Sequence, residues 1–337
     1  MDLLPSAEQQ QIIDTIKDFL VNEASVDRLR EFGAIGNPDF ELWPRLGELG
    51  FLGLGLPEDK GGVGLSAGEE MLVFQQFGYH LLSPAIFGIV LGARIAAFAG
   101  EVELRDELLS GKMRVGLANS RGFAGEPRDY HLFEADEADV ILLIEESNAA
   151  LYPRDAFEQI AQVNATDAVL VLERATLSNA ARPRAEVPVK VDNVHARALM
   201  LMGAYAVGIG EGARDLAIEY AKVREQFGKP IGFFQAIKHM CADMAIRSEA
   251  ALCQASFASL VMDEGSPDTN FHAVASKIVA CETAIKNAAD CVQVHGAFGF
   301  TAEANVHHYL KRAHVADLIW GSLREQRERI LTFPTPA

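Results

Sequence analysis

Two segments of the 337-residue chain hold side chains whose types and spacing suit ligand binding. The first, VREQFGKPIGFFQAIKHMCADMA from Val223 to Ala245, places Arg224 and Phe227 one helical turn apart at a helix end, then Gly228, Pro230 and Gln235 entering the next helix. A fixed guanidinium beside an aromatic ring at the mouth of a helical hairpin suits an anionic ligand with a flat ring, because the guanidinium fork matches phosphate or carboxylate oxygens. An ordinary turn is the competing reading. The second, QVHGAFGFTAE from Gln293 to Glu303, sets two glycines and a small residue after a helix. Such a loop lets a ligand approach the backbone closely and leaves amide N–H groups to receive it. A plain interhelical loop is the alternative there.

Other candidates carry less. GIGEG at 208–212 lacks G-x-G-x-x-G spacing and lies inside a helical pattern, so its glycines are expected to serve close helix packing. GGVG at 61–64 reads as a connecting turn. His307, His308 and His314 lie near Glu303 and Asp317, but no H-E-x-x-H or second cysteine group accompanies them. A solvated helix face is expected rather than a metal site. Cys241, Cys253, Cys281 and Cys291 form no C-x-x-C pair and read as small buried thiols in Ala-rich helices. Neither a G-x-S-x-G elbow nor a Walker loop occurs.

Composition narrows the function classes. With 30 Lys+Arg against 47 Asp+Glu the formal net charge is −17, which argues against a general nucleic-acid binder, since phosphate neutralisation needs a concentrated basic surface. An apolar share of 49% beside 23% charged residues describes an ordinary folded chain rather than a disordered one. The N-terminal MDLLPSAEQQ lacks the basic-then-apolar order of a secretory signal, and no uncharged apolar run reaches the roughly 18 residues of a membrane span. A cytoplasmic protein in a reducing compartment is expected.

The elements that must position these segments fall into three stretches: a helical region at 1–114, a small β region at 115–192 and a helical region at 193–332. Ser6 with Gln9 makes a capping box, and Ile12, Ile13, Ile16, Phe19 and Leu20 recur at helical spacing. A second apolar stripe runs through Leu42, Trp43, Leu46, Leu49 and Phe51, and a breaker segment follows from Leu56 to Ser66. Helices resume at Ala67, and Gly111 stands where a helix C-terminal glycine would. VILLI at 140–144, AVLVLE at 168–173 and VPVKV at 187–191 read as strands. Tyr205–Val223, Phe234–Asp263 and Asn270–Gln293 are long enough for an antiparallel four-helix bundle. The expected class is α+β, mostly helical, with a reduced β domain between two helical ones.

Taken together, the two ligand-binding segments, in this order and at this separation, resemble the acyl-CoA dehydrogenase family of flavoproteins. The resemblance extends to AEQQQIIDTIKDFL and LWPRLGELGFLGLGLPEDKGGVGLS in the N-terminal region, and to the patterns R-x-x-F-G-K-x-I-x-x-x-Q and Q-x-x-G-x-x-G-F-x-x-E in the bundle. It implies FAD as cofactor, an acyl-CoA substrate, and homo- or hetero-oligomers that share flavin sites, with an electron-transferring flavoprotein as acceptor. It implies that Arg224 contacts the FAD pyrophosphate of a neighbouring subunit, with Phe227 and Gln235 near the adenosine half. Gln293, Gly296 and Ala297 would line that FAD, and Ser322 would match a threonine that bonds the flavin of its own subunit.

The chain departs from the family where the reaction needs a base. The Tyr-Glu-Gly-Thr segment of many members falls on Ile319-Trp320-Gly321-Ser322, which puts Trp320 at the base position. The alternative position on the first bundle helix is Ala198, and its neighbour Leu199 stands where an arginine is common. GLANSRGFAGEP at 116–127 lacks the family's flavin-holding L-T-E-P-x-x-G-S-D pattern. The resemblance therefore implies a base-lacking subunit of a heteromeric enzyme. Two alternatives stay open: a self-sufficient flavoenzyme using Glu325 or Glu303, and a non-enzymatic scaffold.

Overall fold

A computed structural model describes residues 3–32, 39–120, 129–334 and 336. Along the chain run helices α1 (Ala7–Glu23), α2 (Arg28–Phe32), α3 (Trp43–Glu48), α4 (Ala67–Tyr79), α5 (Ala85–Ala99), α6 (Val102–Leu109), α7 (Val194–Val223), α8 (Gln235–Asp263), α9 (Thr269–His295), α10 (Val306–Leu318) and α11 (Leu323–Ile330). The strands are β1 (Val115–Ser120), β2 (Asp129–Phe133), β3 (Val140–Ile144), β4 (Asn148–Pro153), β5 (Phe157–Val163), β6 (Leu172–Leu177), β7 (Ala185–Pro188), β8 (Glu225–Gln226) and β9 (Lys229–Pro230). The chain forms two compact units, one from residues 1–31, 67–81 and 199–337, the other from 32–66 and 82–198. The class is α+β and mostly helical, as the sequence implies.

The first unit is helix on helix. Ser6 and Gln9 close the expected capping box on α1, which buries Ile16 and Leu20 and packs against α4. Where α4 meets α7 no side chain fits between the backbones. A Cβ at Gly78 would sit 1.8 Å from the Tyr205 carbonyl oxygen, and one at Gly208 would sit 1.9 Å from that of Gln75. GIGEG is thus a packing seam, as expected. Asn287 of α9 is fully buried and ties three helices. Its Nδ2 lies 3.2 Å from the Gly210 carbonyl, 3.1 Å from that of Met244 and 3.0 Å from Ser248 Oγ. Among the described residues no helix is long and apolar enough to cross a membrane.

The second unit sets α5 on a seven-stranded sheet of order β5-β6-β2-β1-β3-β4-β7, antiparallel except for β1 beside β3. Alternation along the strands sends Val115, Leu117 and Leu151 toward Gly88 and Gly92 of α5, while Ala118, Ile141 and Leu143 enter a cluster with Tyr130, Tyr152 and Phe157. VILLI is wholly strand, but two expected strands shift. AVLVLE becomes β6 only from Leu172, because Asp167 accepts from the Val169 and Leu170 amides in a turn. VPVKV stops at Pro188. The polar β5 carries no apolar alternation and bulges at Gln159, which explains why its sequence hides it.

Gly208→Ala should destabilise the protein by about 1–3 kcal/mol in a urea melt, since two backbones would have to part. Gly210→Ala, two residues on, meets Thr283 and Ala284 only at ordinary contact distance. It should be neutral or stabilising by up to about 1 kcal/mol from helix propensity.

Candidate functional site

The Arg224–Gln235 segment is not the helix end that the sequence spacing implies. Helix α7 stops at Val223, and β8 and β9 form a two-residue hairpin with Phe227 and Gly228 at its tip, so Arg224 and Phe227 do not share a helical face. Both tip residues have positive φ, 54° and 75°, the requirement of a twist-compatible two-residue turn that glycine meets freely and phenylalanine does not. Phe227 is nevertheless 92% exposed. A bulky ring held in strained backbone and presented to solvent is a feature to be explained by use rather than by packing. Arg224 is exposed and, among the described residues, has no ion-pair partner. Gln235 is the exposed first residue of α8.

Beside this hairpin the surface is basic and aromatic, in contrast to the acidic chain as a whole. Lys229 Nζ lies 3.7 Å from the centre of the Phe233 ring, and Lys238 Nζ lies 5.7 Å from it. A cleft of about 290 Å³ opens between α7, the hairpin and α8, lined by Ile218, Ala221, Pro230 and Ile237 with Lys222 and Lys238.

At the end of α9 the Gln293–Ala297 loop has the openness expected of it. Gln293 and Ala297 are exposed, and the space a Cβ would take at Gly296 (φ 60°, ψ −140°) has no atom within 4 Å. His295, not singled out from sequence, anchors the loop from beneath. Its ring stacks on Tyr220 at 4.1 Å and 22°, and Nδ1 lies 2.8 Å from the Cys291 carbonyl, so the proton sits on Nδ1. Burial holds its pKa below the usual histidine value, which keeps the ring neutral.

The third part of the site is the turn after α10. Trp320 and Gly321 both have positive φ, 56° and 99°, and Trp320 is 6% exposed. Lys277 of α9 is buried to 1% exposure, and its ammonium donates to the carbonyls of Asp317 (3.1 Å), Ile319 and Gly321. Burial pulls its pKa down to about 8. Gln326 Nε2 donates to the Trp320 carbonyl at 2.6 Å. Ser322 caps α11 in a second capping box, with the Glu325 carboxylate accepting from both the Ser322 amide and hydroxyl at 2.7 Å. Lys277 went unnoticed in the sequence, although it falls on the same helical face as Ala273, Ala280 and Ala284, where an isolated lysine is a signal of a buried cation.

The remaining candidates separate cleanly. Ala198 and Leu199 are buried in α7, and Glu303 is exposed. The histidines do not form the solvated face expected of them. His308 is buried and His307 half-buried because that face of α10 packs inward, and only His314 is exposed. No metal-holding group of His, Cys, Asp and Glu exists among the described residues. Of the thiols, Cys281 and Cys291 are buried as expected, Cys241 is intermediate and Cys253 exposed. In GLANSRGFAGEP, Gly116–Ser120 lie in β1 and 121–127 fall outside the described residues.

Comparison with known proteins gives two family matches. Residues 6–114 match the model of the acyl-CoA dehydrogenase N-terminal domain, and residues 194–332 that of the C-terminal domain. The acyl-CoA dehydrogenase FadE34 of Mycobacterium tuberculosis is 33% identical over 302 residues, covering 86% of this chain but only 42% of that protein. The acyl-CoA dehydrogenase IpdE2 of the same organism is 29% identical over 332 residues, 97% of this chain and 98% of that one. Among solved structures, a chain of the ChsE4-ChsE5 complex from M. tuberculosis superposes with a TM-score of 0.84 at 22% identity, covering 99% of this chain and 100% of that one. A glutaryl-coenzyme A dehydrogenase complex superposes at 0.83 and 24%, covering 98% and 96%.

Phe227→Asn should stabilise the hairpin by about 1 kcal/mol, because asparagine tolerates left-handed backbone. If the exposed ring serves binding, the same change should weaken binding of ADP, the simplest flat-ringed anion, in a calorimetric titration. Unchanged ADP binding would leave the strain without a functional account.

Proposed function

Because the chain belongs to the acyl-CoA dehydrogenase family, we propose that it is the base-lacking subunit of a heteromeric acyl-CoA dehydrogenase, lending FAD-binding residues to a partner subunit that carries the catalytic carboxylate. One observation carries this reading: the positions where the family keeps its base hold a buried indole and a buried methyl group. An indole N–H only donates, so Trp320 has no lone pair with which to take a substrate α-proton. The nearest alternative, Glu325, has its carboxylate committed to the cap of α11. That commitment weighs against a self-sufficient enzyme using Glu325.

The cofactor of this family is FAD, and the residues present fit its adenosine diphosphate half. Arg224 offers a free guanidinium, Phe227 an uncovered ring, and Gly296 a backbone open to close approach. When bound, FAD supplies the acceptor for the hydride that leaves the acyl β-carbon. In this proposal Arg224 neutralises the pyrophosphate, while Phe227 and Gln235 orient the adenosine. Gln293, Gly296 and Ala297 would line the same FAD, and Ser322, whose hydroxyl proton goes to Glu325 here, would have to turn it to bond the flavin on this chain's own side. Proton removal from the acyl-CoA α-carbon would fall to the partner's carboxylate, because neither Trp320 nor Ala198 has an acceptor to offer. The ChsE4-ChsE5 complex, whose fold this chain shares, is in keeping with a heteromeric arrangement, and an electron-transferring flavoprotein would take the electrons onward.

The purified chain alone should be colourless. Mixed with a full-length family member that has the glutamate, it should form a yellow complex with about one FAD for every two chains, measured after denaturation. One FAD per chain in the isolated protein would overturn the proposal. In the complex, Arg224→Ala should weaken FAD binding by about 10- to 100-fold, the worth of charge-assisted bonds to a phosphate.

A further inference from the structure

We propose that Lys277 is a positioning residue for the flavin side of the site: its buried ammonium fixes the Trp320–Ser322 turn in the conformation that faces the cofactor. This rests on the reading of the chain as a flavoprotein subunit. A lysine ammonium has three N–H donors and no acceptor. Three main-chain carbonyls, those of Asp317, Ile319 and Gly321, stand within hydrogen-bond distance of Lys277 Nζ. All three donors are therefore spent on one short stretch of backbone. These carbonyls lie at and just beyond the C-terminus of α10, where the last helical carbonyls lack intrahelical partners and the helix dipole is negative.

The backbone there needs such a clamp. Trp320 and Gly321 are two consecutive residues of positive φ, a region that glycine adopts freely and a tryptophan only under strain. Lys277 donates to the carbonyls on either side of Trp320, and Gln326 donates to that of Trp320 itself, so three successive carbonyls each meet a side-chain donor. The next residue, Ser322, is then fixed as the cap of α11, with its side chain and amide both engaged by Glu325. Without the ammonium the carbonyls of Asp317 and Ile319 would lose this donor, that of Gly321 would keep only the 3.4 Å contact from Gln326 Nε2, and the turn would relax toward ordinary backbone.

The test uses Trp320 as a local reporter, in a Trp43→Phe background that removes the other tryptophan of the chain. Lys277→Met, with helical circular dichroism retained, should shift Trp320 emission to the red and make it easier to quench with acrylamide. In complex with the glutamate-bearing partner it should also bind FAD about tenfold more weakly, the loss of one hydrogen bond at the site. Lys277→Gln keeps two amide donors and should give intermediate values; it serves if the methionine variant does not fold. Unchanged emission and quenching in a folded variant overturns the proposal. So does a loosened turn with unaltered FAD affinity. A complex that takes up no FAD with Lys277 intact would instead sink the flavoprotein-subunit reading, while the emission test would still report on the turn.

Discussion

The carbonyls at a helix C-terminus cannot be satisfied by the helix itself, and all three parts of the candidate site are answers to that constraint. At the end of α7 the Arg224 amide bonds to Tyr220, and the chain turns into the β8–β9 hairpin, where the Ile231 amide takes the Arg224 carbonyl at 2.7 Å. At the end of α9 the His295 ring takes the Cys291 carbonyl, and Gly296 breaks the helix with a dihedral pair open to a glycine. At the end of α10 a lysine from another helix is brought in. Each solution leaves something exposed or locked that chemistry can use: a guanidinium and a ring, a bare stretch of backbone, and a fixed turn. Helix C-termini repel anions, so the proposed diphosphate site needs added cations there, which Arg224 with the neighbouring lysines would supply.

Those helix ends can be held firmly only because the helices beneath them are. The Gly78–Tyr205 and Gly208–Gln75 contacts bring α4 and α7 to backbone distance, and Asn287 crosslinks α7, α8 and α9 through a single amide. In close packing of this kind, side chains cannot absorb a shift of one helix along another. The C-terminal ends of α7 and α9 therefore keep a common register, joined beneath the loop by the Tyr220–His295 stack.

How much of this the sequence revealed depended on how local the cause was. The Ser6–Gln9 capping box, the α8 and α9 helices and the glycine seam follow from neighbours or from 3.6-residue periodicity, and they were legible. The hairpin was not, because helical spacing between Arg224 and Phe227 is equally satisfied by a tight turn, and the deciding fact is the left-handed backbone at Phe227. His308 resembled a surface residue by its company of charges, but its burial is set by what α10 packs against. Lys277 was the deepest omission: its partners lie 40 to 44 residues away and are backbone carbonyls, which leave no mark in the sequence.

The pattern of what is present and what is absent has a physical order. Residues that would act by fixed charge, exposure or backbone openness, namely Arg224, Phe227, Gln235, Gln293 and Gly296, lie at the surface of the helical unit, where another chain's cofactor could reach them. On the proposed reading, the role left to the partner is the one that demands a titrating group at a defined atom. A guanidinium serves a neighbour's ligand across an interface because electrostatic attraction tolerates small errors of placement. A general base does not, since proton transfer requires hydrogen-bond contact with the reacting carbon's proton. A chain that shares a site can thus keep its charge contribution and lose its base without the pair losing activity, provided the partner keeps its own. On the proposed reading, the buried Trp320 and Ala198 are what that loss would look like once packing has taken over the positions, with Glu325 held to its capping role.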